Sequence, residues 1–301
     1  MDERAALRLI DDMLQHVGDD AAVVDGLVMT VDMLHDRADF PAGTGRYTAG
    51  WRAVGASLSD VAAMGARASA TVAAYGAPSL LESELRRFLR GAVDVSTEVG
   101  ADYVGGDLDV HDEFTVATAA IGRTDSPVRR RGCSPGERVV VTGELGRTAA
   151  AMRAFEAGDV ERGNKLFRFV PRVAAGQAVA GGATAMMDSS DGLARSLHQL
   201  AEANGCGFAI EWDRIPVHSG LAGGTEIERR EGALAYGEDF ELVICTPADR
   251  IEELRRKSPV KLSDIGRVAE QGHGITVDGE PLPDQGYTHG SGGANDAPPT
   301  R

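Results

Sequence analysis

Residues 185–200 read Ala185-Met186-Met187-Asp188-Ser189-Ser190-Asp191-Gly192-Leu193-Ala194-Arg195-Ser196-Leu197-His198-Gln199-Leu200. A short apolar run closes on an aspartate, small residues form a turn, and leucines then recur at helical spacing. The pattern predicts a buried strand over 185–187 that delivers Asp188, and a helix over 192–203 with Leu193, Leu197 and Leu200 toward the core. Strand, turn and helix in that order make an α/β unit. Other aspartates stand in similar settings: Gly18-Asp19-Asp20, Thr30-Val31-Asp32, Ser59-Asp60 and Gly105-Gly106-Asp107. Any one of these reads most simply as a turn. Together, several closing apolar strands and one pairing Asp188 with Asp191, they are hard to explain as independent turns. Gathered carboxylates repel one another unless cations neutralise them, and oxygen-only donor sets select hard ions such as Mg²⁺. The expectation is metal-dependent phosphate chemistry.

Composition sets the bounds. The chain has 301 residues, 43% of them hydrophobic, enough for two domains with cores of their own. Net charge is −15, from 46 acidic and 31 basic residues, which opposes binding to nucleic acid or to an anionic membrane. Lysine occurs only at Lys165, Lys257 and Lys261, so the acidic surface suits a protein kept soluble in concentrated salt. No apolar run approaches the roughly 20 residues that span a bilayer, and the charged start Met1-Asp2-Glu3-Arg4 is unlike a signal core, so a cytoplasmic location is expected. Cys133, Cys206 and Cys245 lack metal-ligand spacing and read as small buried hydrophobes.

Along the chain, residues 2–14 carry apolar positions of an amphipathic helix. Residues 27–31 read as a strand with Asp32 at its end, and 49–65 as a helix bearing Asp60 off its apolar stripe. The alanines and glycines of that helix allow another backbone to approach closely. A strand over 69–75, a helix over 82–99 and strands over 102–104 and 114–121 follow, with Gly105-Gly106-Asp107 as the turn between the last two. Arginine, proline and glycine cluster over 124–136, where a domain boundary is expected, giving domains at 1–125 and 132–290 and a disordered tail at 291–301. In the second half, strands are expected over 138–141, 240–245 and 261–268, and helices from Arg147 and Pro171.

No P-loop pattern or protein-kinase motif set occurs. Gly18 and Gly105-Gly106 could cradle phosphates through backbone amides. Arg129-Arg130-Arg131 reads either as a solvated linker or as a phosphate clamp. Tyr236-Gly237-Glu238-Asp239-Phe240-Glu241-Leu242 reads as a tight turn with solvated carboxylates that runs into a strand.

Taken in order, GDDAAV (18–23), the strand ending in Asp32, SLSDVAAMGA (57–66), YVGGD (103–107), DSSDGLARSL (188–197) and YGEDFEL (236–242) resemble the thiamine-monophosphate kinase family. The wider ATP-binding superfamily also contains aminoimidazole ribonucleotide synthetase, selenophosphate synthetase and the hydrogenase maturation protein HypE. The resemblance implies an α/β (α+β) two-domain fold, with an N-terminal mixed sheet and helices forming a barrel across a homodimer and a C-terminal α/β domain. It implies γ-phosphoryl transfer from ATP onto thiamine monophosphate with several Mg²⁺ ions and no protein nucleophile.

By motif, the resemblance makes Asp20, Asp32, Asp60, Asp107, Asp188 and Asp191 metal ligands, with an oxygen from Thr30 and the carbonyl of Val31. Gly106, Asp107, Arg130 and Ser190 would bind ATP, and Glu238 and Tyr287 the thiamine phosphate. Asp39 stands where many members carry histidine in a substrate-binding role, and Val31 stands where they carry a hydroxyl residue. Two alternatives remain at this level. One is another superfamily enzyme, foremost aminoimidazole ribonucleotide synthetase, and the other is a nucleotide-binding relative without turnover.

Overall fold

The computed structural model describes residues 3–14 and 17–286. Tyr287 and the expected disordered tail at 291–301 lie outside the described residues. A helix, α1 (Glu3–Met13), precedes a five-stranded mixed sheet of β1 (Ala22–Val24), β2 (Leu27–His35), β3 (Arg67–Ala77), β4 (Asp102–Val110) and β5 (Thr115–Arg123). Its strand order is β1-β2-β5-β3-β4, antiparallel except for the parallel edge pair β3–β4. Period-2 alternation assigns the faces. Val28 and Leu34 of β2 and Val116 and Ala120 of β5 are buried under α2 (Arg46–Ala63), and α3 (Glu82–Glu98) packs on α2.

Two expectations change here. The strand expected to stop at Val31 continues to His35, because Met33 and Leu34 keep the alternation, so Asp32 lies within β2 opposite Thr118 of β5. Gly105-Gly106-Asp107 is likewise inside β4 rather than a turn. A Cβ at position 106 would stand 1.7 Å from the Ala73 carbonyl oxygen, so close pairing with β3, not a turn, demands that glycine.

The second sheet has seven strands: β6 (Arg138–Thr142), β7 (Ala185–Asp188), β8 (Cys206–Ile210), β9 (Leu242–Thr246), β10 (Leu262–Glu270), β11 (Ile275–Val277) and β12 (Glu280–Pro281), in the order β12-β11-β8-β10-β6-β9-β7. Helices α4 (Arg147–Glu156), α5 (Val160–Phe167), α6 (Val173–Val179), α7 (Leu193–Asn204), α8 (Glu226–Leu234) and α9 (Ile251–Lys257) surround it. Leu193, Leu197 and Leu200 of α7 join a core with Val139, Val141, Met187 and Val243, as their spacing predicts. The alternate residues Val140, Met186, Leu242 and Ile244 share a second core with Leu58, Val61 and Ala62 of α2. Helix α2 is therefore enclosed between the two sheets, which is why it is apolar nearly all round. The three cysteines are free and buried, as expected. The strand expected from Phe240 begins at Leu242 instead, and the helix expected from Pro171 begins at Val173.

Helices α2 and α3 touch backbone to backbone. A Cβ on Gly50 would lie 2.1 Å from the Phe88 carbonyl oxygen, and one on Gly91 would lie 2.0 Å from that of Tyr47. Neither neighbour is a side chain that could swing away. Gly91→Val is expected to destabilise the fold by about 3 kcal/mol or more, measured by urea unfolding, whereas an unchanged midpoint would show that the two helices separate easily.

Candidate functional site

Three elements deliver carboxylates to one point. Asp20 comes from the loop before β1, Asp60 from near the C-terminal end of α2, and Asp188 from the end of β7, and their oxygens lie within 4.8 Å of one another. Asp32 approaches from β2. Hydroxyls hold the group in place: Thr30 Oγ1 donates to Asp60 Oδ2 at 2.5 Å, Ser57 Oγ to Asp32 Oδ2 at 2.6 Å, and Ser59 Oγ to Asp188 Oδ2 at 2.5 Å. Arg130 grips Asp20 with Nη2 at 2.9 Å from Oδ1 and Nε at 3.3 Å from Oδ2.

The charge is poorly balanced. Burial raises the Asp60 pKa well above the ordinary carboxylate range, and Asp32, Asp188 and Asp20 push it the same way. Burial, then Asp20, raises Asp188 to about 7 despite relief from Ser59 and Arg130. Burial also raises Asp32, against the Ser57 hydrogen bond. Asp188 is 1% exposed, and its Oδ1 is buried without a hydrogen-bond partner. An aimed, unpaired oxygen within an all-oxygen donor set, with no histidine or cysteine in the group, fits a hard divalent cation such as Mg²⁺. Asp20, Asp60 and Asp188 are the residues that could hold it, with Asp32 beside them.

The remaining predicted residues are placed differently. Val31 is 72% exposed on the sheet face turned away from α2. Asp107 shares the outward-facing row of Met33, opposite to that of Asp32, and accepts from its own neighbour Leu108 N. Within one chain neither Asp107 nor Gly106 joins the group. Asp39 closes the turn after β2 by accepting from His35 N at 2.6 Å. Ser190 and Asp191 lie on the loop that follows Asp188, and the Ser190 carbonyl accepts from Glu238 N.

The segment 236–242 is not a solvated turn. Asp239 is buried and accepts from Gly146 N and Thr148 N at the start of α4, and Glu241 is buried against Arg172 and Thr142. Burial raises Asp239 to about 6. Seating these two carboxylates forces Glu238 and Phe240 to φ of 57° and 54°, a left-handed conformation costly for such side chains. Glu238 Oε2 meets Arg52 Nη2 at 2.8 Å.

Sequence reasoning missed Ser57, Ser59 and Arg52 as parts of this site. Polar residues set into the Ala- and Leu-rich run of α2 were the available signal. The arginine run is anchored rather than loose: Arg129 Nη1 and Arg130 N donate to Asp19, and Arg131 Nε to the Ala203 carbonyl.

Comparison with known proteins follows the same lines. The family described as AIR synthase related protein matches with its N-terminal domain over residues 18–124 and its C-terminal domain over 134–279. The thiamine-monophosphate kinase of Halobacterium salinarum is 59% identical over 289 residues, covering 96% of this chain and 100% of the relative. That of Methanospirillum hungatei is 38% identical over 299 residues, covering 96% and 99%. The solved structure described as "AaThiL complexed with AMPPCP and TMP" superposes with a TM-score of 0.86 at 26% identity, covering 96% of this chain and 97% of that one.

The carboxylate group ties stability to pH. Folded Asp188 keeps its proton up to about 7, whereas its ordinary value is 3.8. Between those values the folded chain binds a proton that the unfolded chain has released, so stability falls as pH rises through the window. Without divalent cations, calorimetry from about pH 5.5 to about pH 8 should show the wild-type melting midpoint falling several degrees further than that of Asp188→Asn. Parallel slopes would contradict the electrostatics.

Proposed function

The chain belongs to the thiamine-monophosphate kinase family of AIR synthase related proteins, and on that premise we propose that it transfers the γ-phosphoryl group of ATP directly onto the phosphate of thiamine monophosphate, forming thiamine diphosphate and ADP. The observation that carries this reading is the meeting of Asp20, Asp60 and Asp188 with the unpaired Asp188 Oδ1 among them. Two phosphates repel as they approach, so the site must supply charge neutralisation and alignment rather than a nucleophile. Mg²⁺ bound by Asp20, Asp32, Asp60 and Asp188, with Asp191 and the Thr30 hydroxyl at its margin, would supply that neutralisation.

The chain's own residues do the positioning. Arg130 reaches into the group and offers charge-assisted donors to a triphosphate, the role that suits a guanidinium already held by Asp20. Ser190, on the loop after Asp188, together with Gly106 and Asp107, completes the proposed ATP contacts. Glu238 leads the acceptor contacts, with Asp39 and Tyr287 as further candidates. No side chain forms a bond to phosphorus in this reading, and the bond to the leaving ADP breaks as the acceptor oxygen closes on phosphorus.

The proposed assembly is a homodimer closed through the outer face of the first sheet. Val31 and Met33 of β2 and Val72 of β3 are exposed there, and Leu9, Ile10 and Met13 of α1 are exposed as well. So much apolar surface on a strongly acidic protein favours a covering partner. No helix among the described residues is long and apolar enough to cross a membrane, and the proposed place of action is the cytoplasm.

Purified protein with Mg²⁺ and ATP should form thiamine diphosphate from thiamine monophosphate, and no product from free thiamine or formylglycinamidine ribonucleotide. ATP binding without that product would overturn the reading. Asp60→Asn should lower kcat by on the order of a hundredfold or more, whereas a purely solvating carboxylate would leave the rate unchanged. Light scattering should report a dimer that Met33→Asp converts to monomers; a wild-type monomer would rule out the proposed assembly.

A further inference from the structure

Arg52 lies on α2, one helix from the first domain, yet its side chain is fully buried and every partner belongs to the second half of the chain. Nη1 donates to the Phe167 carbonyl at 2.7 Å, and Nη2 donates to the Glu238 carbonyl at 3.2 Å and to Glu238 Oε2 at 2.8 Å. The guanidinium lies 3.6 Å over the Phe167 ring, with the Phe240 and Phe169 rings at 5.4 and 5.6 Å. Phe169 and Phe240 stack at 4.2 Å, which closes the cage. Burying a guanidinium among aromatic rings carries a desolvation cost, and an apolar side chain of similar volume would suit stability as well or better. Stability alone does not account for the arginine.

Glu238 is held from all sides except one. Its N–H donates to the Ser190 carbonyl, its own carbonyl accepts from Thr148 Oγ1 at 2.7 Å, and its left-handed backbone leaves little freedom. Arg52 occupies Oε2. Among the described residues no hydrogen bond engages Oε1, and the side chain is 31% exposed. The bond to Ser190 also fixes Glu238 relative to Asp188, two residues before Ser190 at the end of β7.

We propose that Arg52 is the positioning residue of the acceptor subsite, fixing one oxygen of Glu238 so that the other is aimed at an N–H donor of the acceptor substrate. This rests on the reading of Glu238 as an acceptor contact given above. Arg52 touches no substrate in this arrangement. It acts through Glu238, and it sets that carboxylate at a constant distance from the carboxylate group that receives the phosphates.

The test is steady-state kinetics of full-length Arg52→Lys, Arg52→Met and Glu238→Gln, with thiamine monophosphate and ATP varied separately. A lysine cannot serve the Phe167 carbonyl and Glu238 in the same planar fork. In Glu238→Gln the arginine takes the amide oxygen and turns an NH₂ donor toward the substrate's own donor. Each variant is expected to raise KM for thiamine monophosphate about tenfold or more while KM for ATP stays within about twofold. Combining Arg52→Met with Glu238→Gln should add little to Glu238→Gln alone, because both act through one carboxylate. If Arg52→Met does not fold, Arg52→Lys and Glu238→Gln carry the comparison. Variants that move both KM values alike, or neither, overturn the inference while wild-type turnover upholds the kinase reading. A wild-type protein inert toward thiamine monophosphate overturns both.

Discussion

Like charges held at close range without enough cation to balance them are the constraint on which this structure depends. Asp20, Asp60 and Asp188 meet within 4.8 Å, Asp32 adds to their mutual repulsion, and Arg130 neutralises only part of it. A fold selected for stability alone would separate these groups or pair each with a base. Here the strain is retained where two sheets meet, and three of the four accept a serine or threonine hydroxyl that leaves further oxygens free. Such an arrangement gains stability when a cation arrives, so ligand binding and folding draw on the same electrostatic term.

Helix α2 makes the constraint possible. It is enclosed by both sheets, which fixes its axis and its rotation, and the polar residues on it are therefore aimed at set partners. Ser57 takes Asp32, Ser59 takes Asp188, Asp60 takes Thr30, and Arg52 takes Glu238. A single rigid element thus sets the geometry of the carboxylate group and of Glu238 together. The glycines that let α3 approach α2 belong to the same design, since loosening that contact would move the site.

Much of this was legible in the sequence, for reasons that differ by element. Helices α3 and α7 followed from apolar spacing, and Asp188 from an apolar strand that stops at a turn. Asp20 and Asp60 were readable only jointly, through the recurrence of aspartates among small residues. The continuation of β2 past Asp32 was hidden because an aspartate within a strand looks like its end. Asp239 and Glu241 read as solvated because the positive φ values at Glu238 and Phe240, which turn them inward, leave no mark in residue type. Arg52 carries no mark of its own in the alanine-rich helix, and only the distant Phe167, Phe169 and Phe240 make it a buried charge. The apolar stripe of α1 is amphipathic as its spacing predicts, yet Leu9, Ile10 and Met13 stay exposed among the described residues.

The central claim is that the buried carboxylate group is a divalent-cation site, and proton release on metal binding tests it most directly. Titration calorimetry of Mg²⁺ into the wild-type protein near pH 7, repeated in buffers of different ionisation enthalpy, counts the protons displaced. Because Asp188 keeps its proton to about 7 and burial raises Asp60 well above the ordinary carboxylate range, cation binding should expel protons near neutrality, and fewer as pH rises. Mg²⁺ binding with no proton released, or no binding with all four aspartates intact, would contradict the account.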